Sequence, residues 1–173
     1  MRELSVDKLT GLMQAGPFQE RFDEELKRAV RFNRPLALLV ATWAHKGPQE
    51  FDRRTIRSYG PVKVLAAIIK KGLRDVDAGG RLDGDILAAV LPETELAGAR
   101  VVAERICKEA ETHEIAGETL DDLIRLSVNV AIVSHPVHGA DAQILLAEAR
   151  VALDRAQAEG YSLVYEGDRP AEA

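Results

Sequence analysis

The chain has 173 residues, a formal net charge of -5 and a single cysteine, Cys107. That length suits one domain large enough to bury a core without staples. The acidic balance argues against a nucleic-acid surface, which shows as a basic excess or stripe, and one cysteine excludes an internal disulfide and a thiolate zinc cluster.

The opening stretch MRELSVDKLTGL lacks the apolar core of a signal peptide, and no apolar run approaches membrane-spanning length. A cytoplasmic protein with neither a membrane nor a nucleic-acid partner is expected. Phe18, Phe22, Leu26, Ala29 and Val30 then recur at helical spacing, so the stretch from Pro17 to Asn33 is predicted to be an amphipathic helix. Pro35 to Trp43 is a continuous apolar run of strand length, the pattern of a central strand buried on both faces. VKVLAAIIKKGLR predicts a helix ending near Arg74, with Lys70 and Lys71 at its dipole-favoured end.

AGGRL and ILAAVL flank Asp83-Gly84, a dipeptide suited to the positive φ angles of a tight hairpin. Leu96, Ala99, Val102, Ala103, Ile106 and Ala110 mark the apolar face of another helix, and IRLSVNVAIV reads as a strand. A last helix opens on a capping Asp141 and stops at Gly160, before the short strand YSLVYE. The order is helix, strand, helix, hairpin, helix, strand, helix, short strand. It implies an α+β domain whose mixed sheet is covered by helices, not a doubly wound parallel sheet.

Several short motifs fall in order along this frame: DKLTGL (Asp7 to Leu12), RPLALLV, RLDGDIL (Arg81 to Leu87), AAVLPET, AERI, LSVNVAI and LLAEARVALDRAQAEG. Together they resemble the GGDEF family of diguanylate cyclases, from Asp7 to about Glu166. The resemblance implies a palm-like α+β fold, with a mixed, mainly antiparallel sheet among helices. Length and element pattern predict a single domain over residues 1–167, with 168–173 as a frayed tail.

Departures from the family pattern are concentrated where the resemblance would put metal and substrate. Thr42 and Ala44 stand in place of two aspartates, the first of them a magnesium ligand in the family. The signature reads DGDIL: Asp85 keeps a metal-binding position, Ile86 replaces the glutamate that assists ribose attack, and Asp83 replaces the first glycine. Glu50 matches a guanine-reading asparagine and Gln157 a phosphate-binding lysine. Magnesium asks for near-octahedral hard oxygen ligands, and one carboxylate is a poor site. The expectation is a domain that is not an enzyme, with no metal and no cofactor.

Arg74 to Asp77 reads RDVD, the sole R-x-x-D in the chain, and five residues separate it from the DGDIL signature. In the family this motif, with an arginine on the following helix, binds the product cyclic di-GMP; Arg105 stands at that third place. The chemistry suits the ligand: an arginine fork pairs with guanine O6 and N7, and a carboxylate accepts from guanine N1 and N2. Taken singly, Arg74 reads equally as a helix-end cation, Asp77 as a turn former and Arg105 as a solvated helix residue. Jointly they predict a cyclic di-GMP receptor that signals to a protein partner, with ligand-linked homodimerisation as a corollary. A nucleotide-independent interaction or oligomerisation module is the alternative, and residual cyclase activity a third reading.

The remaining reactive residues have structural explanations in the sequence. His135 and His138 flank Pro136 in a loop and read as solvated turn residues. Cys107, on an apolar helix face, reads as small core filler, and Trp43 reads as packing.

Overall fold

The computed structural model describes residues 5–45, 60–116, 123–160 and 164–168. Among these described residues, four helices and six strands follow in the order α1 (Ala15–Phe32), β1 (Leu36–His45), α2 (Gly60–Gly72), β2 (Ala78–Asp83), β3 (Ile86–Pro92), α3 (Leu96–Ala110), β4 (Glu114–Ala116), β5 (Leu123–His135), α4 (Ala142–Glu159) and β6 (Val164–Glu166). The sheet order is β2-β3-β1-β5-β4, every pair in that path is antiparallel, and β6 adds a parallel pairing to β5. This is the expected α+β arrangement, with β1 at its centre.

The alternation of side chains along β1 assigns the two faces of the sheet. Ala37, Leu39, Ala41 and Trp43 join a core with α2 and α3, while Leu36, Leu38 and Val40 join a second core with α1 and α4. The strand is apolar from Leu36 to Ala41, as suits a strand covered on both faces. Phe18 and Phe22 of α1 are fully buried in the second core, and loss of either ring would cost about 3–5 kcal/mol. Gly80 of β2 lies flat against this packing: a Cβ there would come within 2.4 Å of the Phe18 ring.

The predicted helix after the central strand begins earlier and ends earlier than its periodicity suggested, at Gly72, which leaves Arg74 in a turn and not in a helix. The β2–β3 loop is Gly84-Asp85, and of the Asp83-Gly84 pair only Gly84 has positive φ, at 46°. β4 went unpredicted because three residues are too few to carry a periodicity. Asp141 caps α4 as expected, its carboxylate accepting from Ile144 N at 3.0 Å. At the other end of the chain Asp168 pairs with Arg155 and donates its amide to Glu148.

Candidate functional site

The turn between α2 and β2 is built on one carboxylate. Asp77 accepts the Arg74 backbone N–H at 2.8 Å and donates its own amide to the Arg74 carbonyl, which closes a tight loop. The same carboxylate takes the Arg74 guanidinium side-on, from Nε at 3.1–3.2 Å and from Nη2 at 2.8 Å. Nη2 also donates to the Pro92 carbonyl at 3.0 Å and to Thr94 Oγ1 at 2.9 Å, so the fork is anchored to the loop before α3. The Asp77 side chain is 2 % exposed and that of Arg74 54 % exposed. Hydrogen bonding to Asp77, opposed by burial and aided by the charge of Asp77, raises the Arg74 pKa above its ordinary value.

Arg105, one turn before the end of α3, reaches across to donate Nη2 to the Gly72 carbonyl at 3.1 Å, at the C-terminus of α2. All three predicted residues therefore meet at one corner, where Arg105 touches a carbonyl two residues from Arg74. Among the described residues, Arg74 Nη1 and Arg105 Nε and Nη1 have no partner. Beside them lies a groove of about 220 Å³ lined by Ile68, Lys71, Gly72, Arg105, Ile106 and Glu109.

The far end of the hairpin carries Asp85. Its Oδ2 accepts the Trp43 indole N–H at 3.0 Å, so Trp43, 5 % exposed, is a hydrogen-bonding residue as well as a packing one. Composition gave no sign of this contact, which joins residues 42 positions apart. Thr42 is buried on the opposite face of β1, in register with Asn129. Ile86 packs half-buried against the α1–α4 core, and Gln157 is exposed on α4. Glu50 lies outside the described residues. Among the described residues, no group of three or more His, Cys, Asp or Glu side chains could hold a metal ion.

Arg81 joins the hairpin to the amino-terminal segment. Its Nε donates to the Gly84 carbonyl at 2.7 Å and its Nη1 to Asp7 at 3.0 Å. Asp7 also accepts from the Thr10 amide and hydroxyl, and Met13 pairs with β2 through Gly79 and Arg81. Burial pushes the Asp7 pKa up, but the Arg81 and Thr10 hydrogen bonds outweigh it, and the carboxyl titrates below its ordinary value.

His135, the last residue of β5, and His138, in the β5–α4 loop, are both buried, not the solvated turn residues that the sequence suggested. His138 is 4 % exposed; its Nδ1 accepts from Ser134 N at 2.9 Å and its Nε2 donates to the Gly167 carbonyl at 2.8 Å. His135 is 8 % exposed, with Nδ1 donating to the Gly139 carbonyl at 2.8 Å. The loop folds back onto the sheet end, and the rings satisfy carbonyls that would otherwise be buried alone. Cys107 is buried as expected, and burial pushes its thiol up to about 12, which makes it unreactive near neutral pH.

A family model described as "Diguanylate cyclase, GGDEF domain" matches residues 62–162, more than half of the chain. The chain belongs to the GGDEF family. Over 101 residues it is 30 % identical to the diguanylate cyclase DgcP of Pseudomonas aeruginosa, a match covering 58 % of this chain and only 15 % of DgcP. The fold is similar to the GGDEF domain of YfiN from Pseudomonas aeruginosa, with a TM-score of 0.81, 24 % identity and 94 % of each chain covered. It is also similar to the GGDEF domain of DgcB from Caulobacter crescentus, solved in complex with c-di-GMP, at a TM-score of 0.77 and 16 % identity over 96 % of this chain and 94 % of that one. A third similar structure is the diguanylate cyclase SiaD of Pseudomonas aeruginosa in complex with its activator SiaC, with a TM-score of 0.78 and 23 % identity over 94 % of this chain and 61 % of SiaD. No described helix is long and apolar enough to cross a membrane.

Proposed function

We propose that this GGDEF domain is a catalytically inactive receptor that binds cyclic di-GMP through Arg74, Asp77 and Arg105 and relays the nucleotide level to a protein partner in the cytoplasm. The observation that carries the reading is the state of the two guanidinium groups. Asp77, Thr94 and Gly72 already orient them, yet Arg74 Nη1 and Arg105 Nε and Nη1 keep unused donors. Preset orientation lowers the entropy cost of binding, and a fork is the shape that guanine O6 and N7 or a phosphate accepts.

Asp77 enters differently. Its two oxygens already take four contacts from Arg74, so a guanine N1 or N2 donor must displace one of them, and the arginines carry most of the affinity. A ligand held at such a corner has a second face to offer, which is the basis for ligand-linked homodimerisation.

Inactivity follows from the donor set. Magnesium needs hard, charged oxygens; Thr42 offers a neutral hydroxyl, Ile86 offers nothing, and Asp85 is engaged by Trp43. These residues do not fit the metal, and no step of synthesis is assigned to them.

Calorimetry tests the reading. Micromolar or tighter cyclic di-GMP binding is expected, and Arg74→Ala should lose about 1–3 kcal/mol, the worth of one bidentate guanine contact. No heat from the wild type at high ligand concentration would sink it. The saturated Asp77 carboxylate favours the second reading in that case, an interaction module indifferent to nucleotide. Incubation with GTP and magnesium should yield no cyclic di-GMP by mass spectrometry; its appearance overturns the inactive assignment.

A further inference from the structure

The groove of about 220 Å³ beside Arg105 runs between α2 and α3. Sites that enclose a drug-sized ligand hold roughly 300–1,000 Å³, so this one has room for part of such a ligand, a single base and not a whole dinucleotide. Its floor is apolar, with Ile68 and Ile106 both buried. Its polar side chains, Lys71, Arg105 and Glu109, are all charged.

Glu109 is the carboxylate of this groove. It stands four positions after Arg105 on α3, a spacing that sets two side chains next to each other on one helix face, about 5–6 Å apart at Cβ. Its one ion-pair neighbour among the described residues is Lys71, with Nζ 3.6 Å from Oε1. That is too long for a hydrogen bond, and a pair this exposed, 79 % at Lys71 and 41 % at Glu109, contributes little. Neither Glu109 oxygen accepts a hydrogen bond from a described residue. Asp77 is the reverse case, with its oxygens filled by Arg74.

Guanine carries acceptors at O6 and N7 and donors at N1 and N2 on the adjoining edge, so reading it takes a fork and a carboxylate side by side. Arg105 is steadied by the Gly72 carbonyl and keeps Nε and Nη1 to give. Adenine has an amino group where guanine has O6 and an acceptor at N1. It would set donor against Arg105 and acceptor against Glu109, a mismatch on both sides. We propose that Glu109 is the guanine-reading carboxylate of this corner. The base lies in the α2–α3 groove over Ile68 and Ile106, with O6 and N7 on Arg105 and N1 and N2 on Glu109. This assignment rests on the cyclic di-GMP reading, and it supplies an acceptor that Asp77 yields only by giving up a bond to Arg74.

Calorimetry with cyclic di-GMP and cyclic di-AMP tests it. The wild type should prefer cyclic di-GMP by about tenfold or more, the scale of one well-read base. Glu109→Gln, a change of charge at nearly constant shape on a half-exposed side chain, should lose about tenfold in cyclic di-GMP affinity and none for cyclic di-AMP, so that the preference collapses. Glu104→Gln removes the same charge from a carboxylate of α3 that lies outside the groove and faces Arg100, and it should leave the preference intact. Guanine preference retained in Glu109→Gln, or lost equally in Glu104→Gln, overturns the assignment while the receptor reading stands. Wild-type protein that gives no heat with either dinucleotide overturns both.

Discussion

The β2–β3 hairpin carries an aspartate at each end, and the two are satisfied in opposite ways. Asp85, in the turn, accepts a hydrogen from the neutral indole of Trp43. Asp77, at the root, is filled by the Arg74 cation and the Arg74 amide. An indole has one N–H, and here it is given to Asp85. A guanidinium has five donors, and after serving Asp77, Pro92 and Thr94 the Arg74 fork still has Nη1 to give. The contrast separates a corner that is closed by its own packing from one that is oriented by it.

The largest effect should come from disturbing what both ends share. Gly80→Ala drives a methyl into the fully buried Phe18 ring, and overpacking of this kind costs about 3 kcal/mol. Urea unfolding should show the loss, and cyclic di-GMP affinity should fall only as far as the folded fraction does. A variant that binds poorly while fully folded would mean that the hairpin root depends on β2 packing more than on Asp77.

Next in size is Arg74→Lys. An ammonium cannot reproduce a side-on fork, so cyclic di-GMP affinity by calorimetry should drop about tenfold or more, near the loss of one bidentate contact, although the charge is kept. Retained affinity would reduce the site to simple charge attraction and break the comparison.

At the turn, Trp43→Phe removes one hydrogen bond at nearly constant shape and should cost about 1 kcal/mol of stability. It sharpens the comparison when combined with Thr42→Asp and Ile86→Glu. Magnesium should raise the melting temperature of the triple variant and leave the double variant, with Trp43 in place, unmoved. Stabilisation of the double variant would show that the indole does not close Asp85.

The smallest effect concerns Asp7, which ties the amino-terminal segment to Arg81. Its folded pKa lies below the ordinary 3.8, so the folded state favours the charged form. The stability this contributes is present above the ordinary value and is lost as pH falls through the folded one. Asp7→Asn should therefore lower stability by a small amount near neutrality, where the contribution is fully present, and flatten the profile below about pH 4, where it is already lost.

Much of this was legible along the chain. The continuous run from Leu36 to Trp43 marked a strand covered on both faces, the periodicities marked four helices, and Asp141 marked a cap. Residues three apart, such as Arg74 and Asp77, can be paired on paper because a turn brings them together whatever the rest of the chain does. Arg105 was placed with them by family pattern alone, since its contact with Gly72 spans 33 positions. His135 and His138 were misread because loop composition carries no information on whether the loop folds back on the sheet.

Local order of this kind is determined by the sequence itself: hydrophobic period, capping chemistry and turn residues act over a few positions. The same is true of the identities of Thr42 and Ile86, which are read directly from the chain. What only the tertiary structure decided is how each polar group is spent. That Trp43 takes Asp85, that Arg81 takes Asp7 and Gly84, and that His138 gives its Nε2 hydrogen to Gly167 all depend on which elements the packing sets side by side. A hydrogen bond needs its partners within about 3 Å, and the apolar core, not the local sequence, brings distant residues that close.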